Sequence, residues 1–131
     1  MPAENNHAYD YAIVRIVPRV ERGERINAGV IVSCATQTYL SATIAFDRAR
    51  LHALDATIDP DEVAAALALI PLIAAGDPRG GPIALMPRGE RFHFLVAPHS
   101  AVIQTSRVHS GLGQDLDAAL ANLVQRFVLP I

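Results

Sequence analysis

Two runs near the start of the chain, Tyr11 to Val17 and Ile26 to Val32, are dense in β-branched and aromatic residues. The eight residues between them, Pro18 to Arg25, are polar or charged for the most part and include Gly23. β-Branched and aromatic side chains suit a pleated surface and glycine accepts a positive φ, so the pattern predicts a long β-hairpin. In the first run Ala12, Val14 and Ile16 share one face, and Tyr11, Ile13, Arg15 and Val17 the other. A lone arginine on an otherwise apolar strand places Arg15 near an open end or a partner. In the second run, strict alternation sets Ile26, Ala28, Val30, Val32 and Cys34 against Asn27, Gly29, Ile31 and Ser33. Gly29, in a strand interior, marks a bulge or a close approach by another backbone or a ligand. After the turn at Ala35 to Thr38, Tyr39 to Phe46 alternates again, which makes the first three strands an antiparallel meander.

The period then changes. Asp47 is placed to cap a short helix from Arg48 to Leu54. Asp59, Pro60, Asp61 and Glu62 form a stronger helix start, followed by an apolar body from Val63 to Ile70 with Leu67 and Ile70 as its best-buried residues. Pro71 predicts a kink or a stop, and Gly76 ends the region. Asp77 to Pro82 and Pro87 to Glu90 read as turns, with Ile83 to Leu85 a short edge strand between them. Arg91 to Val96 alternates as a strand with Phe92 and Phe94 towards the helices, and Val102 to Arg107 is a further strand after the Ala97 to Ser100 connection. Gly111 to Gly113 reads as a helix-entry loop. From Asp115 the spacing Leu116, Leu120, Leu123, Phe127 gives an amphipathic closing helix. The order βββ, α, α, ββ, α predicts an α+β fold: a mostly antiparallel sheet of about five strands with two or three helices packed on one face. A length of 131 residues is expected to form one domain over 1–131, with residues 1–8 frayed.

Composition narrows the function classes. Thirteen acidic against eleven basic residues leave a net charge of −2, so no nucleic-acid partner is expected. The longest apolar run, Val63 to Ala75, is thirteen residues with a proline inside, short of the roughly 18 to 20 needed to cross a bilayer. The single cysteine, Cys34, and the absence of a basic-then-apolar leader point to a cytoplasmic location. The five histidines, at 7, 52, 93, 99 and 109, lack the spacing and cysteine partners of a metal site, and neither a metal nor a cofactor is expected.

Two polar clusters are candidates for chemistry. Glu24, Asn27 and Gly29, with Arg15 or Arg19, would form a cleft in which an arginine fork holds a carboxylate or phosphate. Alternatively, Glu24 pairs with an arginine at the hairpin mouth while Asn27 steadies the turn. Gln104, Ser106, His109 and Asp115 are the second cluster, where Asp115 would orient an imidazole for acid or base work, or the group simply ties down a loop ahead of a helix. No nucleophile stands beside the histidine. If the two clusters meet, Glu24, Asn27, Gln104 and His109 line one patch with Arg15 or Arg91 at its rim.

The chain resembles a small bacterial family known as domain of unknown function 3037. The resemblance lies in the runs Tyr9 to Ala12, Val17 to Arg19, Glu24 to Val30, Arg91 with Phe92, and Val102 to Gly111 followed by Asp115. It departs from the family pattern at Arg107, where a proline is common, and at Gly113, where a cysteine is, so any chemistry of that cysteine is closed to this chain. The resemblance implies no established activity, but it does imply an association with kinases similar to the HipA toxin family. Three function classes follow, in order: a non-catalytic interaction module partnering such a kinase; a small-ligand-binding protein or enzyme using Glu24, Asn27 and His109; and a homo-oligomer joined through the 63–73 helix.

Overall fold

In the computed structural model, which describes residues 6–98 and 101–131, the sheet is built around β1 (His7–Ile16). On one side β1 pairs antiparallel with β2 (Ile26–Cys34), which pairs antiparallel with β3 (Tyr39–Ile44), the meander expected from the alternation. The other side of β1 carries two short strands end to end, β4 (Ile103–Thr105) against Val14 to Ile16 and β5 (His109–Gly113) against His7 to Tyr11. β1 starts at His7, so the ordered sheet reaches into the 1–8 segment expected to fray. Residues 1–5 of that segment lie outside the described residues.

Two irregularities aim side chains. The β1–β2 register passes from Val14↔Gly29 to Arg15↔Asn27, so Ala28 is an extra residue and the pair is bulged there. The bulge reverses the alternation. Ile26 and Ala28 join Ile31 on one face of the sheet, Val30 and Val32 lie on the other, and Asn27 falls on the face of Arg15. A Cβ on Gly29 would stand 2.6 Å from the Thr43 carbonyl oxygen of β3, which is the close backbone approach its position signals. The second irregularity separates β4 from β5. There Ser106 is nearly fully buried; its N–H donates to the Ile13 carbonyl at 2.8 Å, and its Oγ accepts the Ile13 N–H at 2.9 Å.

Four helices cover the sheet. α1 (Arg48–Leu54), α2 (Pro60–Ala75) and α3 (Arg88–Val96) pack on one face over Val14, Ile16, Ile26, Ala28 and Ile31. α4 (Leu116–Phe127) packs Leu120, Leu123 and Val124 against Ile13, Val30 and Val32 on the other. The α+β class and the five-stranded antiparallel sheet stand as expected, but the helices lie on both faces rather than one. The reason is that Ile13, Val30 and Val32 form an apolar patch on the second face of the sheet, which also needs cover.

The strand expected at Arg91 to Val96 is instead helix α3, and β5 takes the fifth place in the sheet. Phe92 and Leu95, three apart, turn to the core, while Phe94 is 42% exposed. Pro87 to Glu90, expected as a turn, holds Pro87 as the N-cap residue and then the first turn of α3. Pro82–Leu85 is a 3₁₀ turn rather than an edge strand. α2 runs through Pro71 to Ala75 without stopping. Its end is closed by Gly76 at φ 71 and by Asp77, whose N–H donates to the Leu72 carbonyl at 2.9 Å. Leu67 is buried as expected, whereas Ile70 is only partly so, and Ile73 and Ala74 sit deeper. Gly111 to Gly113, expected as a loop, belongs to β5. A Cβ on Gly111 would lie 2.5 Å from the Tyr9 ring, so glycine here makes room for that tyrosine.

Candidate functional site

The residues at the hairpin, the sheet edge and the end of α4 form one strip on the α4 face. Arg15 is the Cα partner of Asn27 on β2 and of Gln104 on β4, so the three make a row across adjacent strands with side chains on one side. Four residues back along β1, past Ile13 on the same face, Tyr11 pairs with His109 of β5, and their rings lie 5.4 Å apart between centroids. Tyr11 also stacks on Phe127 of α4 at 6.4 Å and 18°, and Tyr9 stands 6.1 Å from Tyr11. Asn27 Nδ2 donates to the Phe127 carbonyl at 2.9 Å, and the Arg126 guanidinium lies 5.0 Å over the Phe127 ring. Asn27 and His109 are thus on the same side of the sheet, joined through Phe127 and Tyr11.

Coverage of this face is uneven. α4 makes its main contacts with β2 and β3, so that Tyr9 and Tyr11 at the margin of its core, and Arg15, Gln104 and His109 beyond it, are left half-buried. Within the strip Arg15 is electrostatically unmatched among the described residues. Its Nε is sealed from solvent with no hydrogen-bond partner, and burial, followed by the positive charge of Arg25, lowers its pKa from the ordinary value. Gln104 Nε2 donates to the Ala101 carbonyl at 2.8 Å, which holds the amide at the strand end.

The other candidates are spent elsewhere. Glu24 pairs with Arg22, and Arg19 lies 3.4 Å from the Asp55 carboxylate. Both residues line a cleft of about 300 Å³ with Pro18 and Leu54. Arg91 sits among the helices of the opposite face, donating from Nη1 to the Ile73 and Ala74 carbonyls at 3.1 and 2.6 Å and from Nε to that of Met86 at 2.9 Å. Ser106 is held in the β1 ladder, and its hydroxyl donates to the Arg107 carbonyl at 2.9 Å. Asp115 caps α4 by accepting from the Ala118 N–H at 3.1 Å. It lies past the far end of β5 from His109, a strand of roughly 13 Å at the usual rise per residue, so it does not orient that imidazole. Of the nine candidates the fold brings together Arg15, Asn27, Gln104 and His109, and sets apart Arg19, Glu24, Arg91, Ser106 and Asp115.

Sequence reasoning missed Tyr9, Tyr11 and Arg25 as members of the strip. The signal was available for the tyrosines, since 9, 11, 13 and 15 share one face of a strand and only Ile13 among them is a plain core residue. Among the described residues no group of three His, Cys, Asp or Glu is placed to hold a metal ion, and His99 lies outside those residues. Among the described residues no helix is long and apolar enough to cross a membrane.

A meander sheet closed on its open edge by an interrupted strand, with helices on both faces, defines the structural class. The chain belongs to the family described as protein of unknown function, DUF3037, whose profile it matches over residues 11–128. No curated protein and no solved structure matches it.

Proposed function

We propose that this protein is a cytoplasmic, non-catalytic interaction module that binds a protein partner through the strip of Tyr9, Tyr11, Arg15, Gln104 and His109. The observation that carries this reading is the incompletely covered part of the α4 face, where two tyrosines, a histidine and an unpaired arginine are presented together on rigid strands. Tyrosine and arginine are the residue types that concentrate binding energy at protein interfaces, because each offers a large flat surface with a polar end. Among the described residues no hydrogen bond or ion pair joins His109 to a nucleophile or an orienting carboxylate, which favours binding over catalysis.

The partner class to test first comes from the family resemblance, a kinase similar to the HipA toxin family. Co-expression with such a kinase should yield a complex that co-elutes on gel filtration. Tyr11→Ala combined with His109→Ala should abolish the complex while leaving the far-ultraviolet circular dichroism unchanged. A complex indifferent to both substitutions would move the interface elsewhere, and absence of any complex would remove this partner.

A further inference from the structure

The strip contains a charge that the fold does not answer. Ion pairs serve Arg19 through Asp55, Arg22 through Glu24, Arg48 through Asp61 and Arg79 through Asp77. Arg91 is held by backbone carbonyls. Arg15 has neither kind of partner at Nε, and its strand neighbours in the cross-strand row are two neutral amides, Asn27 and Gln104. Arg25, exposed and directly before Ile26, the cross-strand partner of Ile16, stands at the end of the same row and adds a second positive charge that acts on Arg15 unfavourably. A half-buried guanidinium that faces another cation and no anion raises the free energy of the unliganded protein, and an oxyanion placed between the two would lower it.

We infer that Arg15 and Arg25 form a binding site for an oxyanion, a carboxylate or a phosphate, carried on an acidic segment of a protein partner and received at the end of the Asn27–Arg15–Gln104 row. Only the carrier rests on the interaction reading above; the anion site stands on Arg15 and its surroundings. Nε being sealed, the ligand meets the rest of the side chain, and a planar fork is suited to two parallel oxygens. The tyrosines and His109 beside it give the residues flanking the anion a flat surface to lie on. A protein carrier, rather than a nucleic acid, fits a chain with net charge −2, whose overall field repels a long polyanion.

The test uses the full chain with nitrogen-15 arginine and follows the arginine Nε–H resonances during titration. The probes are inorganic phosphate, a hexaglutamate peptide, a phosphoserine peptide and a short single-stranded oligonucleotide. Saturable shifts at Arg15 and Arg25, with Arg22 and Arg79 unmoved because their carboxylates already occupy them, are expected with phosphate and with at least one peptide. The tighter peptide identifies the oxyanion. Arg25→Gln, at an exposed position, should weaken that binding roughly tenfold or more, the loss of about one charge-assisted hydrogen bond. In phosphate-free buffer the same variant should melt higher than the wild type, and the difference should close as phosphate is added, because a ligand that binds only the folded state stabilises it. No saturable shift at Arg15, equal shifts at every arginine, or a melting point of Arg25→Gln at or below wild type would overturn the site. Tighter binding of the oligonucleotide than of either peptide would overturn the protein carrier. Loss of the kinase complex with anion binding intact would sink the partner and not the site, and the converse result would do the reverse.

Discussion

Ser106 shows how a single side chain can complete a β-ladder where the backbone cannot. At the break between β4 and β5 the register of β1 slips by one residue, and the Ile13 N–H, on a residue only 5% exposed, is met by the Ser106 hydroxyl instead of a carbonyl. Ser106→Ala would leave that donor buried and unpaired, so urea unfolding should show a loss of about 1 to 3 kcal/mol at unchanged slope. Ser106 stood among the candidate binding residues because a serine between a glutamine and a histidine looks like chemistry, and nothing in a sequence distinguishes a hydroxyl used in a ladder from one offered to a ligand. Tyr39 gives a second residue-scale expectation. Burial first, and then the hydrogen bond its hydroxyl donates to Asp117 at 2.7 Å, push its pKa from 10.0 up to about 12. A folded-state pKa above the unfolded one means that the contribution of Tyr39 to stability is complete below pH 10 and is lost as pH rises through 12. Tyr39→Phe should therefore flatten the alkaline limb of a stability-versus-pH curve, measured by denaturant unfolding at fixed pH values. An alkaline limb as steep as that of the wild type would assign the loss to other groups.

At the scale of the element, the sequence was most legible where two signals agreed and least where one pattern served two structures. The hairpin had alternation and a polar connection, and α2 had Asp59, whose carboxylate accepts the Asp61 N–H at 2.9 Å, followed by Pro60; the pairing and the helix start formed as read, although the bulge broke the alternation of β2 and α2 ran on past Pro71. Arg91 to Val96 had only the alternation of Phe92 and Phe94, which a helix tolerates equally when Phe92 and Leu95 face the core. What decides for the helix is tertiary. Arg91, placed by α3, donates to the Ile73 and Ala74 carbonyls at the end of α2, which needs donors because a helix leaves its last carbonyls unpaired, and to the Met86 carbonyl just ahead of α3. Arg91→Ala should destabilise the fold by about 1.5 to 3 kcal/mol, the range for hydrogen bonds to a charged group. Arg91→Lys should recover little, since an ammonium cannot span the carbonyls that the fork reaches. Full recovery by lysine in thermal unfolding would show that charge, not geometry, holds the two helices.

Considered whole, the molecule hangs two cores on one sheet, and the difference between its faces separates stability from recognition. The α1–α3 face is covered over its breadth and holds Leu51 and Leu67, each 1% exposed. The α4 face is covered mainly over β2 and β3, with Ile13 and Tyr11 of β1 at the margin of the cover, and the candidate strip runs from that margin to the sheet edge. Half of that strip could be anticipated from residue types: Arg15, Asn27, Gln104 and His109 stood out as polar residues in apolar strands. Their convergence stood in the sequence only as a condition, because it depends on the Ala28 bulge, which turns Asn27 to the face of Arg15, and on β5, which brings His109 against Tyr11. Neither a bulge position nor the pairing of a glycine-rich run has a period to be read. If the strip serves recognition, its residues should carry little of the folding energy. Leu67→Ala, which opens a cavity in the covered core, should cost about 2 to 5 kcal/mol. His109→Ala removes a half-buried ring that rests on Tyr11, and should cost on the order of 1 kcal/mol or less. Asn27→Ala should fall between them, since it releases the Phe127 carbonyl at the end of α4 but leaves that oxygen near solvent. Urea unfolding of the three variants under one buffer gives the ranking directly. A cost for His109→Ala equal to that of Leu67→Ala would make the imidazole a tether of the fold, and the strip would then be part of the second core.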